Sequence, residues 1–156
     1  MDHLWLGASA NDASYVFLLP NKPDFPDEVN SLFIERPDVS SLIELNGNHW
    51  RKIFTIMAKL TSPTSDAWKV FRDHELFGKV GVAFSHDQLV AYKGIVIVVG
   101  NTFREQLVIP VSAKVIGDRH VCYVSLPYIW CPYLDYRQFP NRLIDALREY
   151  ILERKC

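Results

Sequence analysis

No apolar run in this chain approaches the length of a membrane helix: the longest, Gly94-Ile-Val-Ile-Val-Val-Gly100, falls far short of the ~20 residues required. It reads instead as a strand buried on both faces, the pattern of a central parallel strand. Cysteine is scarce. Cys122, Cys131 and Cys156 are an odd set without a C-x-x-C pair, which argues against a disulfide framework and for reduced thiols. No charged-then-apolar segment of the secretory kind opens the chain, so the expected compartment is the cytoplasm. Charge of one sign is not in excess either. Lys plus Arg number 17 against 18 Asp plus Glu, so a polyanion would have to be held by a local patch.

Reaction motifs are missing as well. The histidines at 3, 49, 74, 86 and 120 show no H-x-x-x-H or H-E-x-x-H spacing, and no cysteine lies close enough to complete a zinc set. No metal and no cofactor is expected. Without G-x-S-x-G, a Walker loop or G-x-G-x-x-G, there is no sequence case for a hydrolase elbow, a P-loop NTPase or a dinucleotide fold. Cys122 falls inside an apolar run and reads as a small buried hydrophobe rather than a nucleophile.

What is present suits one domain over residues 1–156: 49% hydrophobic residues, 22% charged, no low-complexity tract and no internal repeat. Ser14 to Leu19 is a second buried-strand candidate. It is stopped by Pro20, and prolines 20, 23 and 26 make the following stretch a stiff loop. Glu28 to Ile34 reads as a short helix ending near Arg36-Pro37. Asn46-Gly-Asn48 breaks the chain and offers an asparagine cap to a helix over His49 to Leu60, whose Trp50, Ile53, Phe54, Met57 and Leu60 form a 3.6-residue stripe. A second helix follows from Asp66 to Phe77, stopped by Gly78, then a strand from Lys79 to Phe84.

After Gly100, Thr102-Phe-Arg-Glu105 has the spacing of a capping box and predicts a short helix ended by Pro110. The competing reading pairs 106–116 with 120–126 as a hairpin turning at Gly117-Asp118. A strand over Val121 to Leu126 then opens into an aromatic loop, and Pro140 starts a last helix with Leu143, Ile144, Leu147, Tyr150 and Ile151 on one face. The alternation predicts a three-layer α/β domain with a mostly parallel sheet, its central strand parallel to 14–19 and 121–126. In that architecture the loops 20–26, 100–102 and 127–138 converge on one crevice.

The aromatic loop holds Tyr128, Trp130, Tyr133, Tyr136 and Phe139 around Asp135, Arg137 and Gln138. Flat rings and a guanidinium suit a planar anionic ligand. The structural reading of the same loop is that it buries its rings to stay folded, with Arg137 paired to Asp135 or to a carbonyl. Asp24 is the one candidate for activating a water, and Asn21, Thr102, Tyr128, Tyr136, Arg137 and Gln138 are the candidate ligand contacts. An aspartate in such a loop also commonly serves the turn backbone.

The order of these pieces resembles the uracil-DNA glycosylase-like α/β superfamily. The similarity rests on Val16-Phe-Leu-Leu-Pro-Asn21, the helix start Gly47-Asn-His-Trp-Arg-Lys52, the unit Ile97-Val-Val-Gly-Asn-Thr-Phe-Arg-Glu-Gln-Leu107, and Leu126-Pro-Tyr128 followed by Arg137 to Arg148. The resemblance implies a glycosylase-like scaffold and a bacterial family that keeps it for another use. In active members the first loop has a glycine with an acid or amide, and the late strand ends in a histidine-proline-serine type of motif. Here the first loop has Asn21 and Asp24 without glycine, and Tyr128 takes the late position. Two functions follow as expectations: a nucleobase, nucleotide or single-stranded nucleic acid in the crevice, or a non-catalytic domain whose aromatic loop docks a protein partner or a second copy. Whether it is an enzyme stays open at this point.

Overall fold

The structure is a computed structural model and describes residues 4–155. His3 and Cys156 lie outside the described residues. Seven strands, β1 (Trp5–Gly7), β2 (Tyr15–Leu18), β3 (Val80–Ala83), β4 (Ile95–Val99), β5 (Lys114–Gly117), β6 (Val121–Ser125) and β7 (Tyr128–Cys131), form one sheet in the order β1-β3-β2-β4-β7-β6-β5. Six helices accompany it: α1 (Ser31–Glu35), α2 (Val39–Asn46), α3 (Asn48–Thr61), α4 (Trp68–His74), α5 (Leu76–Lys79) and α6 (Asn141–Lys155).

The sheet is mixed, which corrects the mostly parallel expectation. Its centre, β3-β2-β4-β7, is parallel, with Phe17 opposite both Val82 and Ile97, and Ile97 opposite Ile129. Both flanks are antiparallel: β1 on β3, β6 on β7 and β5 on β6. The reason is connection length. Only Leu126 and Pro127 separate β6 from β7, and a link that short can reverse the chain but cannot carry it over the sheet to a parallel neighbour. The strand over 121–126 is therefore not parallel to β4. That neighbour is β7, read from sequence as loop although Tyr-Ile-Trp-Cys is a continuous apolar run.

The apolar pattern explains the layers. Val96 to Val99 are all buried, as are all four residues of β2. Alternate strand residues feed two clusters. Phe17, Ile97, Val99, Ile129 and Cys131 join the helices, whereas Val16, Leu18, Val96, Val98 and Trp130 face the other way. The stripe predicted on α3 is buried in full, and Leu143, Ile144, Leu147 and Ile151 of α6 lie in the same cluster.

The expected three-layer arrangement, a sheet between two helical layers, is thus replaced by a sheet with one helical layer and a thinner cover. The second face is closed by Leu89 of a 3-10 turn (His86–Leu89) and by the chain from Phe103 to Ile109. The helix predicted from Thr102 does not form. That segment runs as turns while crossing β7 and β6 to reach the sheet edge, with Phe103 buried and the Trp130 Nε1–H bound to the Leu107 carbonyl at 2.9 Å. The competing hairpin forms only in part: β5, residues 114–117, pairs with 121–124 of β6, and residues 106–113 are not strand.

Other boundaries shift for local reasons. Asn48 is the first residue of α3 rather than its cap. Gly47, at φ +85°, ends α2 and begins α3, a backbone geometry that favours glycine. The helix predicted over 66–77 breaks at Glu75 into α4 and α5, so Gly78 lies inside α5 instead of stopping it.

Candidate functional site

The parallel strands end on one edge. From β2 the chain turns to the helical face, and from β4 it turns to the opposite face. In open α/β sheets the gap between two such strand ends is where ligands enter. Tyr133 stands there. Its hydroxyl accepts from Asn21 Nδ2 at 3.3 Å and shares a 2.8 Å hydrogen bond with His49 Nε2. The two rings also stack, with centroids 5.5 Å apart and planes 18° from parallel. Gly100 completes the wall, since a Cβ at that residue would lie 3.8 Å from the Tyr133 ring.

The first loop is held from below. Asn46, at the end of α2, accepts from the Asp24 N–H at 2.7 Å and donates to the Asp24 carbonyl at 2.9 Å. Pro23 is buried, and Phe25 meets Phe33 edge-on at 6.4 Å. Asp24 thus anchors the loop through its backbone, and its carboxylate, exposed, makes no hydrogen bond or ion pair among the described residues.

The second loop is ordered by Asp135. Its Oδ1 accepts from the Arg137 N–H at 3.0 Å, and its carbonyl accepts from Gln138 and Phe139. That backbone hydrogen bond is the main cause holding the Asp135 carboxyl below its ordinary pKa. Lys52, Arg137 and His49 add to it, against partial desolvation. The turn takes its bond from the Arg137 backbone, so the guanidinium is exposed and has no hydrogen bond or ion pair among the described residues.

The remaining candidates scatter. Tyr136 lies under Lys59, whose Nζ donates to its hydroxyl at 3.1 Å and to Asn141 Oδ1 at 2.9 Å and sits 5.0 Å from the Tyr136 and Trp68 ring centres. It ties α3 to α6 instead of facing the crevice freely. Tyr128 begins β7 and so occupies the amino end of that strand, away from the crevice, packed with Trp130 on the thinly covered face. Gln138 and Thr102 are exposed, and of the two only Gln138 has a bond to the second loop, through its backbone.

His49 was not singled out from sequence, and Tyr133 was named only as one ring of the aromatic loop, not among the candidate ligand contacts. Cavities of about 470, 580, 320 and 230 Å³ open elsewhere, and none of these four is walled by both loops. Cys122 and Cys131 are buried free thiols; burial pushes Cys122 up to about 12 and raises Cys131 likewise. No group of side chains among the described residues is arranged to hold a metal ion.

A family model matches residues 6–152, from within β1 to within α6. The chain belongs to the DUF6942 family, a family of unknown function. No curated protein and no solved structure matches it. Among the described residues of this DUF6942 chain, no helix is long and apolar enough to cross a membrane.

Proposed function

We propose that the protein binds a nucleobase-bearing ligand, a nucleotide or single-stranded nucleic acid, at the carboxyl edge of its parallel strands. The observation that supports this most is the meeting of Asn21 and His49 on Tyr133 at the gap between β2 and β4, with the exposed Arg137 on the same loop as Tyr133. The chemistry fits the ligand class. Stacked rings offer a face to a base, the Asn21 amide can exchange its Tyr133 bond for a base edge, and a free guanidinium suits a phosphate.

The resemblance to the uracil-DNA glycosylase-like scaffold lends the same reading its ligand class, while the antiparallel flank is a departure from it. Base excision is not part of the proposal. The histidine-proline-serine type of motif that the resemblance calls for is absent from the sequence, and Tyr128, read in its place, begins β7 at the end away from the crevice. We also propose a bacterial, cytoplasmic protein, for which the free thiols Cys122 and Cys131 are suitable. The test is an amide chemical-shift titration with mononucleotides and a short single-stranded oligonucleotide. Shifts centred on residues 21, 49 and 133 support the reading, and their absence at millimolar ligand ends it.

One observation favours self-association, through the sheet edge rather than through the aromatic loop. Strand β5 is an edge of the sheet, and Val108, Val111 and Val115 are exposed on it and on the chain leading to it. Unpaired edge backbone beside exposed valines is a template for pairing with another chain. Sedimentation of wild type and Val115→Lys tests it, a dimer that dissociates in the variant being the supporting result.

A further inference from the structure

The cavity of about 470 Å³ lies further along the same edge, between the β5–β6 turn and the start of α6, and none of its lining residues belongs to the Tyr133 cluster. Because β6 runs antiparallel to β7, with Tyr123 opposite Trp130, the turn that precedes β6 is level with the carboxyl end of β7. Its walls are fixed. Gly117 has φ +100°, and a Cβ there would overlap the His120 carbonyl and Leu143, so the turn bears directly on α6.

The lining has two characters. Pro140, Leu143 and Ala146 make an apolar side, and Arg119, His120 and Arg142 bring cationic or protonatable groups against a single carboxylate, Asp118. Asp118 is already engaged, accepting from the Arg119 N–H. Neither guanidinium has a hydrogen bond or ion pair among the described residues. Arg142 is moreover in the first turn of α6, which holds no acidic residue, so its charge opposes the helix dipole. Two unpaired arginines flanking a cavity within the ~300–1,000 Å³ range of small-molecule sites are an arrangement that an anion relieves.

We infer that this cavity binds a small organic phosphate, the phosphate between Arg119 and Arg142 and the apolar body against Pro140, Leu143 and Ala146. The inference does not depend on nucleotide binding at Tyr133.

Phenyl phosphate is the probe, with inorganic phosphate and phenol as its two halves, read by amide chemical shifts. Phenyl phosphate is expected to shift 117–120 and 143–146 saturably, inorganic phosphate to act more weakly at the same amides, and phenol not to act. Arg119→Gln and Arg142→Gln should each weaken binding about tenfold or more, the loss of one charge-assisted hydrogen bond. Both residues are exposed, so melting temperatures should stay at the wild-type value and separate loss of binding from loss of fold. Equal affinity in the double variant, phenol binding as well as phenyl phosphate, or no response to phenyl phosphate overturns the inference. An oligonucleotide that shifts these amides when phenyl phosphate does not also overturns it, and assigns the arginines to a nucleic-acid backbone.

Discussion

The side-chain amide of Asn46 closes on both backbone groups of Asp24, with Oδ1 2.7 Å from the nitrogen and Nδ2 2.9 Å from the oxygen, and Nδ2 also reaches the Leu42 carbonyl at 2.9 Å. A loop with prolines at 20, 23 and 26 has few N–H groups of its own to donate. One asparagine at the end of α2 therefore does for it what a ladder does for a strand, and presents Asn21 to Tyr133.

Asn46→Ala removes three hydrogen bonds from a half-buried position, and a cost of about 1–3 kcal/mol in urea unfolding is expected. Asp24→Ala keeps both backbone bonds and should cost no more than about 0.5 kcal/mol. Equal losses for the two variants would mean that the Asp24 carboxylate has a structural partner.

Arg148 is a buried cation on α6 that donates from Nη1 to the Lys59 carbonyl at 3.0 Å and to Ser62 Oγ at 3.4 Å. The carbonyl belongs to the last turn of α3, the negative end of that helix, which stabilises the guanidinium. Arg148→Ala strands the carbonyl and opens a void, so a loss of about 3 kcal/mol is expected. Arg148→Lys should recover part of it. A melt unchanged in Arg148→Ala would show the α3–α6 contact to be held without the buried guanidinium, by apolar packing and the Lys59–Asn141 hydrogen bond.

How much of this was legible before the fold depends on side-chain spacing. In α3 and α6 large apolar residues recur at helical spacing, and β2 and β4 are unbroken apolar runs, so all four are plain in the sequence. In β7 four residues lie between Pro127 and Pro132, and the prolines made a strand look like a loop. That one misreading displaced Tyr128 from the amino end of a strand into a binding loop. It also hid the antiparallel pairing of β6 with β7. The convergence of the loops after β2 and β7 was legible, because loops at the carboxyl ends of parallel strands share an edge. His49 was not: its partner Tyr133 is 84 residues away, and no local motif joins them.

The buried thiols define an alkaline window. Burial raises Cys122 from 9.0 to about 12 in the folded protein, so the unfolded chain ionises first. Stability from this group is full below pH 9.0 and declines as pH rises toward 12. In a Cys156→Ser background, a thiol reagent at pH 8 should label Cys122 and Cys131 only at the rate of unfolding, and Cys122→Ala should ease the alkaline loss. Rapid labelling of the native protein would contradict the burial. Asp135 acts at the other end of the scale: its lowered pKa gives stability above the ordinary carboxylate range that is lost as pH falls through the folded value. Asp135→Asn should therefore flatten the acid limb of the stability curve, by a small amount because the group is partly solvated.

Arg137 separates ligand binding from structure most cleanly. Asp135 orders the loop through the Arg137 N–H, a bond that any residue except proline supplies, so Arg137→Ala should leave stability within about 0.5 kcal/mol of wild type. A loss of about 1–3 kcal/mol would instead mean that the guanidinium clamps a buried partner. With the fold intact, the same substitution should abolish the chemical-shift changes that nucleotides cause in wild type, because the phosphate loses an exposed guanidinium on the loop that carries Tyr133. Tyr133→Phe tests the other half of the site. It keeps the ring and removes the hydroxyl that Asn21 and His49 share, so it should weaken nucleotide binding while phosphate-only contacts persist. Nucleotide shifts unchanged in both variants would place the ligand elsewhere on the molecule. Release of uracil from DNA, lost on Asp24→Ala, would make the exposed carboxylate a catalytic base and replace the binding proposal with base excision.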